Sequence, residues 1–141
     1  MKTLNRNDIQ KLEEYWINHK ESEKRLKFRE WELTSKASDD ENTGGGSNSV
    51  RNVSSDVENS VIRLSNDKLY KNLLTITRTI NELYKTADED ITTIIEMRYF
   101  DDERNCYEWE EIADRLNMSR AKVLRLRNEL LNDTAKMIGW V

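Results

Sequence analysis

The chain has 141 residues, a single cysteine, no proline and a net charge of -4 at neutral pH. That length suits one ordinary domain or a small domain with extensions, and the negative balance argues against a protein that coats nucleic acid by bulk attraction. Cys106 alone cannot build an internal disulfide framework and fits a reducing cytoplasm, no run of about 18 apolar residues offers a membrane span, and Lys2 and Arg6 are not followed by the apolar core of a signal peptide.

In chain order, the stretch from Arg6 to roughly Ser35 is charged and free of Pro and Gly, which predicts one solvent-exposed helix. Its apolar residues are sparse: Ile9, Leu12 and Trp16 form one stripe, and Leu26, Trp31 and Leu33 a weaker one. A helix of this kind needs a partner surface, in its own chain or on a second subunit, because short isolated helices are marginal in water. Residues 1–37 are therefore expected as a separate charged arm. Residues 38–55 are rich in Ser, Asn, Asp and Gly, include Gly44, Gly45 and Gly46 in succession, and predict a flexible linker. The three glycines do not make a phosphate loop, since no lysine follows at the required position and no strand precedes them.

Residues 56–141 predict a helical domain. Asp56 can cap a short helix bearing Val57, Val61 and Leu64, and Ser65 or Asn66 a longer one whose Leu69, Leu73, Ile76, Ile80 and Leu83 fall on one stripe. A further helix begins near Asp88, carries Ile91, Ile94, Ile95, Met97 and Tyr99, and ends in the polar turn 101–105. The last helix is expected to run to Ile138, with Gly139 as its stop and Trp140 folding back as an apolar clamp. Leu124, Leu131 and Ile138 recur every seven residues on it, either as a seam for a second subunit or as a stripe docked on the Leu69 to Leu83 helix.

Between these lies the stretch that carries function, residues 107–131. Ile112, Ala113 and Leu116 share one helical face, Asn117 tolerates the left-handed conformation of a helix stop, Met118 is a plug, and Ser119 is a strong N-cap. A second helix starting at Arg120 turns Val123, Leu126 and Leu130 back towards the first, giving a helix-turn-helix. Its opposite face presents Ala121, Leu124, Arg125 and Asn128, flanked by Arg120 and Lys122. Arg125 can donate two parallel bonds to a guanine edge, Asn128 can pair with adenine, and Ala121 can meet a thymine methyl. Arg120 joins this base-facing set, while Ser119, Lys122 and Arg127 suit phosphates. A plain amphipathic hairpin explains the apolar spacing but not why residues 120–127 hold four bases and no acid after the acidic stretch Asp88 to Glu111.

Catalysis finds little footing. His19 is the only histidine and lies in the first charged segment, and zinc would need more Cys and His ligands than His19 and Cys106 supply. The acid clusters Asp88 to Asp90 and Asp101 to Glu103 read as caps and solvated charge rather than magnesium ligands. No cofactor, metal or small-molecule substrate is implied.

The region from Ile94 to Leu130, through Arg98-Tyr99-Phe100, Trp109-Glu110-Glu111-Ile112-Ala113 and Met118-Ser119-Arg120, resembles the promoter-reading C-terminal part (region 4) of sigma factors. The wider layout adds Asp40-Glu41-Asn42-Thr43-Gly44-Gly45-Gly46, then Val61-Ile62-Arg63-Leu64-Ser65-Asn66-Asp67, then Ala135 and Gly139, and resembles the RinA-type late transcriptional regulators of phages of Gram-positive bacteria. It departs from that pattern at Asn117, where Gly is usual, and at Cys106, where Ser or Thr caps. The resemblance implies an all-α cytoplasmic activator that binds double-stranded DNA at a late promoter and recruits host RNA polymerase. A homodimer is a further candidate assembly. Two other classes stay open: a DNA-recognition subunit of a phage packaging complex, similar to a small terminase, and an adaptor or anti-sigma protein using the acidic flank.

Overall fold

A computed structural model describes residues 3–42, 53–101 and 106–141, with side chains at 3–35, 57–101 and 106–141. Among the described residues the chain is all-helical: α1 (Arg6–Ile17), α2 (His19–Asn42), α3 (Val53–Asn66), α4 (Lys68–Thr86), α5 (Glu89–Arg98), α6 (Trp109–Leu116) and α7 (Arg120–Met137). None of them is long and apolar enough to cross a membrane. The chain divides into two compact units, one formed by Met1–Lys20 with Ile76–Val141, the other by Glu21–Thr75.

The first unit contains the core. α1 opens with a capping box in which Asn5 Oδ1 accepts from the Asp8 amide at 2.8 Å and Asp8 Oδ2 accepts from the Asn5 amide at 3.0 Å. It stops at Asn18, so the single helix expected from Arg6 to Ser35 is two helices. The reason is local: Asn competes with the helix for backbone bonds, and here it leaves helical geometry at φ -93, ψ 16. The expected arm is divided accordingly. Leu12 and Trp16 are fully buried with Ile80, Ile94, Ile112 and Leu131, and α1 packs on α7. A buried indole must satisfy its N–H, and Trp16 Nε1 donates to Thr134 Oγ1 at 3.1 Å, whose own hydroxyl donates to the Leu130 carbonyl at 2.8 Å.

One helix start and one stop follow the sequence here. Asp88 caps α5 by accepting from the Ile91 amide at 2.9 Å. α7 ends as expected at Gly139, which takes φ +86, a conformation open to glycine but costly for residues with a Cβ. Its amide donates to Lys136 O and that of Trp140 to Ala135 O at 2.8 Å, and Trp140 meets the edge of Tyr15 with ring centroids 6.0 Å apart. The heptad Leu124, Leu131 and Ile138 is covered within the chain: Leu131 is fully buried and the other two half-buried, because α7 lies against α1, α5 and α6. This stripe packs within the first unit on α1, α5 and α6.

The second unit is built differently. Arg29 of α2 forks onto Asp67, with Nε to Oδ2 at 3.0 Å and Nη2 to Oδ1 at 2.7 Å. Asp67 also accepts from the Tyr70 amide at 2.8 Å and so caps α4, in place of the expected Ser65 or Asn66. The guanidinium first, and then the Tyr70 amide, pull the Asp67 carboxyl down to about 2. α3 starts at Val53, ahead of the expected cap Asp56, and α2 continues to Asn42. The linker expected at 38–55 is thus helical at both edges, and its middle, 43–52, lies outside the described residues, as do 102–105 of the expected polar turn.

Candidate nucleic-acid interface

The exposed face of α7 is set by a tight turn between two helices. Asn117 adopts the left-handed conformation, φ 54 and ψ 44, and is the one residue other than glycine with positive φ among the described residues. With the chain so turned, the Met118 amide donates to Ala113 O at 3.0 Å and the Asn117 amide to Asp114 O at 3.3 Å, closing the end of α6. Ser119 Oγ then accepts from the Lys122 amide at 3.1 Å and opens α7 at Arg120. Ile112, Ala113, Val123 and Leu130 are buried between the helices, with Leu116, Met118 and Leu126 half-buried around them. At the other end of α6 the cap is Glu108, without a side-chain bond, and Cys106 is exposed two residues earlier, so the expectation that Cys106 occupies the cap position is corrected.

Arg120, Ala121, Lys122, Arg125 and Asn128 are exposed on α7, and Leu124 is half-buried at their edge. Over just more than two turns, Leu124, Asn128, Ala121 and Arg125 fall within about 100° of arc, flanked on either side by Arg120 and Lys122, while Val123, Leu130 and Leu131 are held in the core. No acidic side chain stands in α7 before Glu129, so the positive end of the helix axis and three cations lie together. Ser119 is exposed too, and although its oxygen is used as a cap, its O–H can still donate.

Arg127 differs from its expected role at a phosphate. Its side chain is only 16 % exposed, its Nη1 lies 3.4 Å from Glu13 Oε1, and its guanidinium carbon sits 5.2 Å from the centre of the Trp109 ring. Arg98 reaches the same indole at 4.7 Å and donates to the Tyr107 carbonyl at 2.8 Å. Glu13 also accepts from the Tyr99 hydroxyl at 2.8 Å. Burial, reinforced by the Glu13 charge, pushes that phenol well above its ordinary value, so it remains a donor. Arg127 Nε donates to Asn128 Oδ1 at 3.1 Å. The result is a chain of contacts from α1 through α5 and α6 that ends at the outward amide of Asn128, with Oδ1 turned to Arg127 and the NH2 group left to donate.

Glu13, Arg98 and Trp109 were not among the residues the sequence singled out for the site. A signal existed in Glu13, a carboxylate four residues after Ile9 and beside Leu12 on the apolar stripe of α1, where an acid needs a partner. Nothing local named Arg127 as that partner, 114 residues away. His19, the one histidine, is buried, stacks on Phe100 at 5.8 Å and shares a 2.8 Å hydrogen bond with Asn81. Among the described residues no three His, Cys, Asp or Glu side chains converge as a metal site.

What these helices define, among the described residues, is an all-α protein with a cationic helix face on a buried core. The chain belongs to the family described as protein of unknown function (DUF722), which it matches over residues 9–136. No curated protein and no solved structure matches it.

Proposed function

We propose that this protein is a sequence-specific double-stranded DNA-binding transcriptional activator whose helix-turn-helix is formed by α6 and α7. The observation that carries the proposal is the exposed set Arg120, Lys122, Arg125 and Asn128 on a helix whose Val123, Leu130, Leu131, Thr134 and Ala135 are buried. An α-helix fits the major groove, and this one offers one side chain with a guanine-matching fork and one with an outward amide donor. In this reading Arg120, Ala121, Leu124, Arg125 and Asn128 face the bases. Ser119 and Lys122 hold phosphates, which fix register without reading sequence. Arg127 serves from behind, holding Asn128 rather than meeting a phosphate as first expected.

The sigma-like run from Ile94 to Leu130 and the RinA-like layout support the finer reading: a late promoter of a phage, host RNA polymerase as partner, and the host cytoplasm as location. The acidic helix α6, with Glu110, Glu111 and Asp114 exposed, keeps DNA contact confined to α7 and leaves a surface of opposite charge for protein. The test is in vitro transcription of parent-genome fragments by host RNA polymerase, with and without the protein and with Arg125→Ala in parallel. One promoter switched on by the protein and not by the variant is the expected result. Binding to a discrete fragment with no promoter response would favour a packaging subunit, and no DNA binding would favour an adaptor.

A further inference from the structure

The unit Glu21–Thr75 carries several of its large apolar side chains on the outside. Among its described residues only Leu73 is buried, whereas Val57 is 62 % exposed, Trp31 60 %, Phe28 59 % and Val61 56 %, with Ile62 exposed beside them. Helices with so little buried surface do not hold themselves in water, and clustered exposed apolar groups of this size mark a contact surface. Two features of the unit are opposite in shape. Val57 and Val61, four residues apart on α3, stack into a ridge that Ile62 widens. Between α2 and the start of α4 runs a groove of about 300 Å³ with Phe28, Leu69 and Leu73 as its apolar lining. The Phe28 and Trp31 rings, 5.7 Å apart, form an aromatic pair at its side.

The two features are also opposite in charge. Lys24, Arg25 and Arg29 line the groove against a single acid, Glu32, which leaves it net basic, while Glu58 stands exposed next to Val57 on the ridge. A ridge and a groove that match in shape and charge on one unit describe a self-complementary surface, and a two-fold axis satisfies both at once. We propose that a second copy of this chain docks here, the Val57, Val61 and Ile62 ridge of each copy filling the Phe28, Leu69 and Leu73 groove of the other. The dimer does not depend on the DNA-binding reading. It differs in place from the heptad on α7, which the core already covers.

The test is sedimentation of the full-length protein over micromolar to sub-millimolar concentration, beside Phe28→Glu and Val61→Glu. The wild type is expected at twice the 16.8 kDa chain mass. Each variant should dissociate at least about tenfold more readily, as loss of a central apolar anchor does, with an unchanged helical circular dichroism spectrum. A second measurement covers variants that fold poorly: Phe28→Cys with Val61→Cys, in a Cys106→Ser background, is oxidised and run on a non-reducing gel. A covalent dimer supports the proposal. A cross-link that leaves the chain at monomer mobility, a wild type that stays monomeric at every concentration, or a dimer that both glutamates leave intact overturns it.

Discussion

Trp16 and Trp31 bring the same side chain into opposite surroundings. Trp16 is fully buried, tilts against Tyr99 and Phe100 at 6.2 and 5.9 Å, and spends its one polar atom on Thr134. Trp31 stands open beside Phe28, in a unit whose best-defined bond is the Arg29–Asp67 fork. The difference separates two ways of holding helices: one region is fixed by burial, which water cannot compete with, and the other by a charged fork at its surface. The candidate DNA face lies on the first, where a reading helix would be held still.

The largest test of that contrast is one substitution made in both places. Trp16→Ala should lower unfolding stability by about 3–5 kcal/mol, the usual cost of emptying a large aromatic site, whereas Trp31→Ala in dilute solution should stay within about 0.5 kcal/mol. Urea titrations of the two variants measure this, and equal losses would erase the distinction. Next in size, Arg125→Ala should cost about 1–3 kcal/mol on a selected DNA site and relax its sequence preference. Lys122→Ala should weaken all sequences alike and reduce the salt slope by about one. Binding isotherms on selected and random duplexes at several salt concentrations decide the matter; an Arg125→Ala loss equal on both would remove Arg125 from the base-facing set.

A smaller effect is expected at the contact that ties α1 to α7. The Glu13–Arg127 pair is 20 % and 16 % exposed, between the surface and buried limits, so Glu13→Ala should cost about 1–2 kcal/mol. In a double-mutant cycle with Arg127→Met most of that loss should vanish once Arg127 is gone. The smallest effect concerns the second unit alone. Asp67 is held at about 2 in the fold, below the usual carboxylate range, so its contribution is fully present above pH 4 or so and fades as pH falls through about 2. Hydrogen exchange at the Tyr70 amide should quicken over that window relative to the Lys122 amide, which the non-titrating Ser119 hydroxyl caps, and matched behaviour would show that the fork does not hold the start of α4.

Legibility followed the range of the interaction. Asn117, Ser119 and the start of α7 at Arg120 were readable because their chemistry is spent within a few residues, in a left-handed turn and a cap. The same holds for Asp88 and Gly139. Where several neighbours could do one local task, the sequence was ambiguous: Ser65, Asn66 and Asp67 all can cap, and Arg29 from another helix favours Asp67. Asn18 gives no distinct stop signal, because Asn is tolerated inside a helix as well as at its end. The face of α7 was legible residue by residue, but Arg127 was not, since a lone arginine on a cationic helix looks like its neighbours until Glu13 and Trp109 are found beside it.

The bond from the Trp16 indole to Thr134 joins residues 118 positions apart. On a ribosome adding roughly 5–20 residues per second, α1 emerges several seconds or more before the partner that covers it is made. During that interval Leu12 and Trp16 lack the α7 side of their core, so the first unit can close fully only once α7 has been made and brought onto α1. α1 waits for α7, and a chain interrupted before α7 would be left with part of the apolar stripe of α1 bare to the chaperones that guard such surfaces.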